Sequence, residues 1–214
     1  MTHARTFRLR HRRLIGAGLG VLLLAGLSLT ATGAGMSAPA SAVDRFHATL
    51  LEVMQNADSL GFPGRQQRLS PVIREAFDLP FIVKVVLGRY WRELPQTDRQ
   101  RMIDTFTRLS IATYAARFDG FSGEAFELVG EKPMKKGRMR VRTRLVRPGD
   151  EAVQLDYVLQ EEAGRWRIVN VVANGVSDLS LKRADYGSIM KKQGFDLLVE
   201  KLEAQAAALG KGGG

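Results

Sequence analysis

The feature that most constrains this fold is a period-two alternation of residue types in three consecutive stretches between positions 138 and 172. In RMRVRTRLV every second residue is an arginine, and uncharged residues stand between the arginines. The stretches VQLDYVLQ and RWRIVNVV also alternate, and the short turns RPGD and EEAGR separate the three. Such alternation predicts strands with one polar and one apolar face, and turns this short join antiparallel neighbours. With a weaker strand over residues 125–131, the sequence predicts a meander of about four strands.

Apolar residues at helical spacing mark the segments on both sides of the predicted sheet. These residues recur at intervals of three and four in the stretches 46–57, 69–76, 78–88, 97–118, 186–190 and 195–202. The motif GFPG closes the first helix, Asp78 and Gly88 begin and end the third, and Gly194 interrupts the last. The sequence therefore predicts an α+β fold, in which about six to seven helices cover one face of the sheet and enclose an apolar pocket.

The first 42 residues have the organisation of a secretory signal peptide. A start with five arginines is followed by an apolar run, and the small residues Ala40 and Ala42 precede the expected cleavage point. We expect residues 1–42 to be removed, residues 43–209 to form one domain and residues 210–214 to form a flexible tail. The alternative is an uncleaved membrane anchor, although the apolar run is near the short limit for spanning a bilayer.

Composition excludes several classes of protein. The chain has no cysteine, which excludes disulfides, thiol nucleophiles and cysteine-bound metals. The formal net charge of +10 falls to about +5 without the five arginines of the leader. This excess is compatible with an anionic membrane surface or an acidic partner. No nucleic-acid-binding motif is present, so no nucleic-acid partner is expected.

Residues suited to catalysis or metal binding are scarce. His47 is the one histidine after the leader, and neither H-x-x-H nor H-E-x-x-H occurs. We expect His47 on the exposed surface of the first helix. Ser177, in GVSDL, lacks the second glycine of a nucleophile elbow and a histidine partner, so Ser177 or Asp178 is expected to cap the next helix. The sequence thus predicts no enzyme, cofactor or metal site, and a hydrolase centred on Ser177 and Asp178 is the weakest alternative.

Inward-facing apolar and aromatic residues of both layers form the predicted ligand pocket. A cup between a sheet and its helices is a common site for an apolar ligand. The residues predicted to line it are Leu87, Tyr90, Phe106, Tyr114, Val141, Leu155, Tyr157, Ile168, Val172 and, at its mouth, Val176. The alternative is that these residues fill a solid core, and both interpretations stay open on the sequence.

The arginines of RMRVRTRLV share one face of the predicted sheet, beside the arginines of RWR. We expect them to face solvent and to pair across the strands with Asp156, Glu127 and Glu131. The alternative is that this face docks anionic headgroups or an acidic partner.

Two long stretches carry motifs of a known family. FDLPFIVKVVLGRYWRELPQTDRQRMIDTFTRLSIATYAARF contains an aspartate-led helix, then V-L-G-R-Y-W, then a helix ending in T-Y. VQLDYVLQEEAGRWRIVNVVANGVSDLSLKRADYGSIMKKQGFDLLVEKL contains a D-Y strand, a G-V-S corner and a final G-F-D-x-L. In this order the motifs resemble the MlaC / toluene-tolerance family of periplasmic lipid-shuttling proteins. The segment VNVVANGVSDLSLKRADY, with Asn170 where the general family has an acid, most resembles the hopanoid-biosynthesis-associated HpnM type.

The resemblance implies a monomeric, non-enzymatic carrier in the periplasm, without a cofactor. Such a carrier would hold lipid tails in an apolar pocket, because exposed tails cost roughly 0.8 kcal/mol per CH₂ in water. It would pass a phospholipid or a hopanoid-type lipid from an inner-membrane ABC transporter complex to an outer-membrane acceptor complex, or in the reverse direction. The alternative is a membrane-attached, non-catalytic accessory protein of hopanoid biosynthesis.

Overall fold

The order of elements is a helical first half, then a sheet, then a closing helix. The computed structural model describes residues 36–211. The helices are α1 (Ala38–Gln55), α2 (Ala57–Ala76), α3 (Leu79–Leu87), α4 (Tyr90–Glu93), α5 (Gln96–Arg117) and α6 (Asp178–Leu209). The strands are β1 (Ala125–Met134), β2 (Arg138–Val146), β3 (Val153–Glu162), β4 (Arg165–Ala173) and β5 (Val176–Ser177). The predicted leader lies outside the described residues up to position 35, and α1 begins before the leader's predicted end.

Local capping signals set the bounds of α3 and α6. The Asp78 carboxylate accepts a hydrogen bond from the backbone N–H of Phe81 at 3.0 Å, and Gly88 follows α3 with a φ of 57°. The Ser177 hydroxyl accepts from the backbone N–H of Ser180 at 3.2 Å. These oxygens bind N–H groups that have no partner inside the helix. The predicted roles of Asp78, Gly88 and Ser177 are confirmed.

Two glycines bend long helices. Gly61 in α2 has a φ of 56° and Gly194 in α6 a φ of 84°, in the left-handed region that favours glycine. The predicted interruption at Gly194 is confirmed, whereas the predicted end of the first helix at GFPG is wrong. α1 ends earlier, because the backbone of Asn56 leaves the helical conformation. The side-chain amide of Asn56 also donates to the Glu52 carbonyl at 2.8 Å.

The strands form one antiparallel sheet in the order β1-β2-β3-β4-β5. Every strand pairs with its neighbour in sequence, so the predicted meander and the α+β class are confirmed. The sheet has one strand more than predicted, because the two residues of β5 pair with the end of β4. A strand of this length has no alternation by which a sequence pattern could reveal it.

A bulge in β4 changes which way its last residues face. The pairing of β3 with β4 shifts by one residue near the middle of both strands. As a result Val171 lies opposite Tyr157, and Val172 lies opposite Asp156. Because Tyr157 faces the apolar interior and Asp156 faces the arginines of β2, Val172 is on the outer face. The predicted inward position of Val172 is therefore wrong, since one inserted residue reverses the alternation that follows Ile168.

The core between the helices and the sheet is continuous. α1 packs on β1, β2 and β4, while α3, α5 and α6 pack against one another. The large side chains with no exposed surface are Phe46, Leu50, Leu69, Ile73, Met102, Leu159 and Leu198. Burying each side chain of this size contributes about 1.5–3 kcal/mol. None of the helices within residues 36–211 has the length and apolar content needed to cross a membrane.

Candidate functional site

An aromatic cluster occupies the interior between α1 and the sheet. Phe46 of α1 is at its centre, with its ring fully buried. Its centroid lies 5.2 Å from that of Phe77, 5.3 Å from that of Tyr114 and 6.4 Å from that of Tyr157, each pair edge to face. Edge-to-face pairs add about 0.5–1.5 kcal/mol to the effect of burial. The cluster thus joins α1, α5, β3 and the segment before α3.

His47 is part of the same interior. Its Nε2 lies 2.9 Å from the hydroxyl oxygen of Tyr157, and its ring stacks on Phe126 of β1 with centroids 3.8 Å apart. The side chain is 4% exposed, so the predicted surface position of His47 is wrong. The signal that could have revealed this is helical spacing, because His47 follows Val43 by four residues and precedes Leu50 by three.

Burial keeps the polar groups of this interior uncharged. It lowers the pKa of His47 to about 3 and raises the pKa of Tyr157 well above 10.0. Burial also raises the pKa of Tyr114, and the charge of Asp178 raises it further. The interior therefore presents one imidazole and two phenols, all neutral near pH 7, among apolar rings.

Three predicted pocket residues lie on the inner face of the sheet next to this cluster. Val141 of β2 is opposite Tyr157 and fully buried. Leu155 is two residues away on β3 and is half-buried against the core. Ile168 of β4 is opposite Leu159 and is 1% exposed. Together with Tyr157, these residues form a continuous apolar strip across three strands.

The remaining predicted pocket residues lie elsewhere. Leu87 and Phe106 are buried within the helix layer, where Phe106 contacts Tyr186 of α6 at a centroid distance of 6.5 Å. Tyr90 is half-buried at the start of α4, and its hydroxyl accepts a hydrogen bond from Arg89 at 3.0 Å. Val176 of β5 is 53% exposed.

Two cavities of about 580 and 320 Å³ lie between α2, α5 and the last part of α6. The larger is lined by Gln66, Gln67, Ser70, Arg74, Thr105, Arg108, Ile111, Glu203, Ala206 and Ala207. The smaller is lined by Phe62, Arg65, Ala116, Asp119, Gln205, Ala208 and Leu209. Neither is lined by any of the ten predicted pocket residues, which are packed in the core or lie at the surface.

The arginines of β2 lie on the outer face of the sheet and pair with acids. Arg142 contacts Asp156 at 3.0 Å and Arg140 contacts it at 3.7 Å. Arg144 contacts Glu127 at 2.8 Å. The predicted cross-strand pairing is thus confirmed at Asp156 and Glu127. It is wrong at Glu131, because a bulge in β1 sets this residue opposite an apolar position of β2.

The corner from β4 to α6 is structural. The Ser177 hydroxyl hydrogen-bonds Asn170 at 3.2 Å as well as the N–H that it caps. The Asn170 side chain also accepts from the N–H of Leu179 at 3.2 Å. Within residues 36–211, no three His, Cys, Asp or Glu side chains come together in a way that could hold a metal ion.

Fold and site define a class of α+β proteins in which helices close the apolar face of an antiparallel meander around an aromatic interior. The profile of the family described as "MlaC protein" matches residues 44–204. The chain therefore belongs to the MlaC family, and the resemblance expected at family level is confirmed.

Known proteins similar to this chain include a transport binding protein and a protein of known structure. The intermembrane phospholipid transport system binding protein MlaC of Haemophilus influenzae is 25% identical over 134 residues, 61% of this chain and 63% of that protein. The match thus spans less than two thirds of that relative's length. The structure of a phospholipid-binding protein from Ralstonia solanacearum, in complex with a phospholipid, has a TM-score of 0.72 and 19% identity. It covers 81% of this chain and 99% of its own, and it establishes the shared fold.

Proposed function

We propose that the protein binds lipid by its apolar tails and carries it through the periplasm between the inner and outer membranes. The observation that carries this proposal is the aromatic interior between α1 and the sheet, in a chain of the MlaC family. Each methylene of an exposed tail costs about 0.8 kcal/mol in water. A lipid therefore crosses an aqueous compartment readily only when a protein covers its tails.

The proposed binding site is the inner face of β2 and β3, with the side chains of α1 and α5 that pack on it. Val141, Leu155 and Tyr157 provide the sheet side, and Tyr114 provides the helix side. Because this interior is packed, a tail enters when α1 separates from the sheet, and the aromatic rings then line the tail. The other predicted residues of the same core are Leu87, Phe106 and Ile168.

Phospholipid is the proposed cargo, because the similar proteins are a phospholipid transport binding protein and a phospholipid-binding protein. A hopanoid-type lipid is the alternative cargo. It is proposed because the sequence around Asn170 resembles that of the hopanoid-biosynthesis-associated HpnM type. The proposed partners are an inner-membrane ABC transporter complex and an outer-membrane acceptor complex. The protein acts without catalysis, and residues 1–42 are removed on export.

Native mass spectrometry of protein purified from the periplasmic fraction tests this function. The delipidated protein is incubated with vesicles of phosphatidylethanolamine and phosphatidylglycerol, and we expect it to emerge with bound phospholipid. If no lipid is bound either as purified or after incubation, the proposed function is wrong.

A matched pair of variants tests the proposed site. Leu155→Trp places a large ring on the inner face and is expected to lower lipid uptake. Leu181→Trp makes the same change on α6, away from the sheet, where the side chain is 55% exposed, and is expected to leave uptake unchanged. Equal uptake of lipid by both variants would show that the tails do not bind at the inner face of the sheet.

A further inference from the structure

We propose that His47 and Tyr157 form a polar recognition point inside the lipid-binding interior, and that it takes an uncharged oxygen of the lipid, a hydroxyl or an ester carbonyl. This inference rests on the proposed function and deepens it, because it names the kind of lipid that the interior prefers. Its basis is a hydrogen bond that joins the two elements between which a lipid tail would have to enter.

The geometry ties α1 to the centre of the sheet through one bond. The Nε2 atom of His47 lies 2.9 Å from the Tyr157 hydroxyl, and the two residues are 4% and 2% exposed. Among the described residues, this is the one side-chain hydrogen bond between Ala38–Gln55 of α1 and the sheet, and the residue that caps the helix, Ser37, donates to Glu131 at the edge strand β1. Phe46 and Phe126 flank it with apolar rings.

Entry of a tail between α1 and β3 moves His47 away from Tyr157 and breaks this bond. Both groups then face an apolar tail instead of water, and a buried polar group without a partner is costly. A pure hydrocarbon leaves both groups unpaired. A lipid with an oxygen at this depth restores a bond to at least one of them, so it binds more tightly than a hydrocarbon of the same length.

The chemistry of the pair selects an uncharged oxygen. The Tyr157 hydroxyl can donate to an ester carbonyl or to a hydroxyl, and the imidazole of His47 can accept from a hydroxyl or donate, according to its tautomer. Both groups are neutral, which gives them no charge to balance a phosphate in a desolvated site. The arginines of β2 are on the opposite face of the sheet, where Arg142 is paired with Asp156.

Displacement of the uncharged fluorophore diphenylhexatriene by 1-hexadecanol and by hexadecane tests this proposal. These two probes differ by one hydroxyl. We expect the native protein to prefer 1-hexadecanol by about tenfold, the effect of about one hydrogen bond. Tyr157→Phe leaves the imidazole of His47 as the one partner for the hydroxyl of the probe, whereas the double variant Tyr157→Phe, His47→Leu removes both partners and is expected to abolish this preference while hexadecane binding is kept or strengthened.

Two controls keep the test specific. Tyr186→Phe removes the hydroxyl of another buried tyrosine, which contacts Phe106 in the helix layer, and is expected to keep the preference. His47→Gln, whose amide can donate and accept, is expected to keep part of the preference. If the double variant does not fold, His47→Leu alone gives the answer, because hexadecane no longer breaks a hydrogen bond on entry and is expected to bind more tightly than to the native protein.

The outcomes separate this inference from the proposed function. If the native protein binds both probes equally, or if the double variant Tyr157→Phe, His47→Leu keeps the preference for 1-hexadecanol, the recognition point is wrong although lipid binding stands. If neither probe displaces the fluorophore and vesicles deliver no phospholipid, both the proposed function and this inference are wrong.

Discussion

At the residue scale, the burial of His47 makes stability depend on pH. Folding lowers the pKa of His47 from 6.5 to about 3, whereas the unfolded chain keeps the ordinary value. Between these two values the unfolded state binds a proton that the folded state does not bind. The contribution of His47 to the free energy of unfolding is therefore fully present above pH 6.5, and it is lost as the pH falls from 6.5 towards 3. We expect this residue to cost about 1.4 kcal/mol for each pH unit over that range.

Urea unfolding at about pH 7.5 and about pH 5 measures this effect. His47→Gln cannot take up the proton, so we expect its stability to change less between the two conditions. The pKa of Glu124 is also lowered in the folded state, chiefly by the N–H of Ser122. This carboxylate therefore also makes the protein less stable as the pH falls, but at lower pH, and it is common to both proteins. An equal loss of stability in both would contradict the assignment to His47.

On the outer face of the sheet, Asp156 is a second residue whose side chain is expected to affect stability. Its carboxylate is nearly buried and accepts from Arg142 at 3.0 Å, with Arg140 at 3.7 Å. Asp156→Ala leaves two partly exposed guanidinium groups without this partner, and we expect a loss of about 1–2 kcal/mol in the free energy of unfolding. Glu127→Ala removes the acid of a half-exposed pair with Arg144 and should cost less than about 1 kcal/mol. Urea titration of both variants checks the difference, and equal costs would contradict it.

At the element scale, the start of α3 holds the helix layer to the sheet. The carboxylate of Asp78 caps α3 through Phe81 and accepts from the side chain of Gln160 at 3.2 Å. The backbone N–H of Asp78 donates to the Ile168 carbonyl of β4 at 3.0 Å. Two attachments to β4 and β3 therefore meet at one residue. The bounds of α3 and its position against the sheet both depend on this corner.

Replacing Asp78 by alanine removes the cap and the bond to Gln160. We expect a loss of about 1–2 kcal/mol in the free energy of unfolding, because one N–H of the first turn loses its acceptor. Asp58→Ala, an exposed residue in the first turn of α2, is expected to change stability by less than about 0.5 kcal/mol. Thermal unfolding compares the two variants, and an unchanged midpoint for Asp78→Ala would show that the cap is dispensable.

The same elements show how far the sequence could predict this structure. Alternation identified β2, β3 and β4, and capping residues placed α3 and the start of α6. Alternation does not show the bulge in β4, because an inserted residue looks like any other apolar residue in the chain, and the pattern therefore predicts the wrong face for Val172. His47 was missed for another reason. Residue type suggested the surface, while packing against Phe126 and Tyr157 buries it.

At the scale of the whole molecule, packing and function make opposite demands on one interior. The fold is held by the core between α1 and the sheet, and the proposed lipid site is that same core. The helix layer of α3, α5 and α6 has its own contacts, such as that between Phe106 and Tyr186. These contacts need not change when α1 moves. The motion proposed for lipid entry is therefore a separation of α1 from the inner face of the sheet, with the helix layer kept intact.

A reversible tether tests this motion. The chain has no cysteine, so cysteines at His47 and Phe126, whose rings stack at 3.8 Å, can be joined selectively by a short thiol-reactive crosslinker that reductant removes. We expect the tethered protein to take up little phospholipid from vesicles, because α1 can no longer leave β1, and to regain uptake on reduction. The matched control joins positions 127 and 144, an exposed pair within the sheet whose side chains are 2.8 Å apart. This tether should leave uptake unchanged, since both residues move with the sheet. Equal uptake by the tethered and reduced 47–126 variant would show that lipid enters by another route.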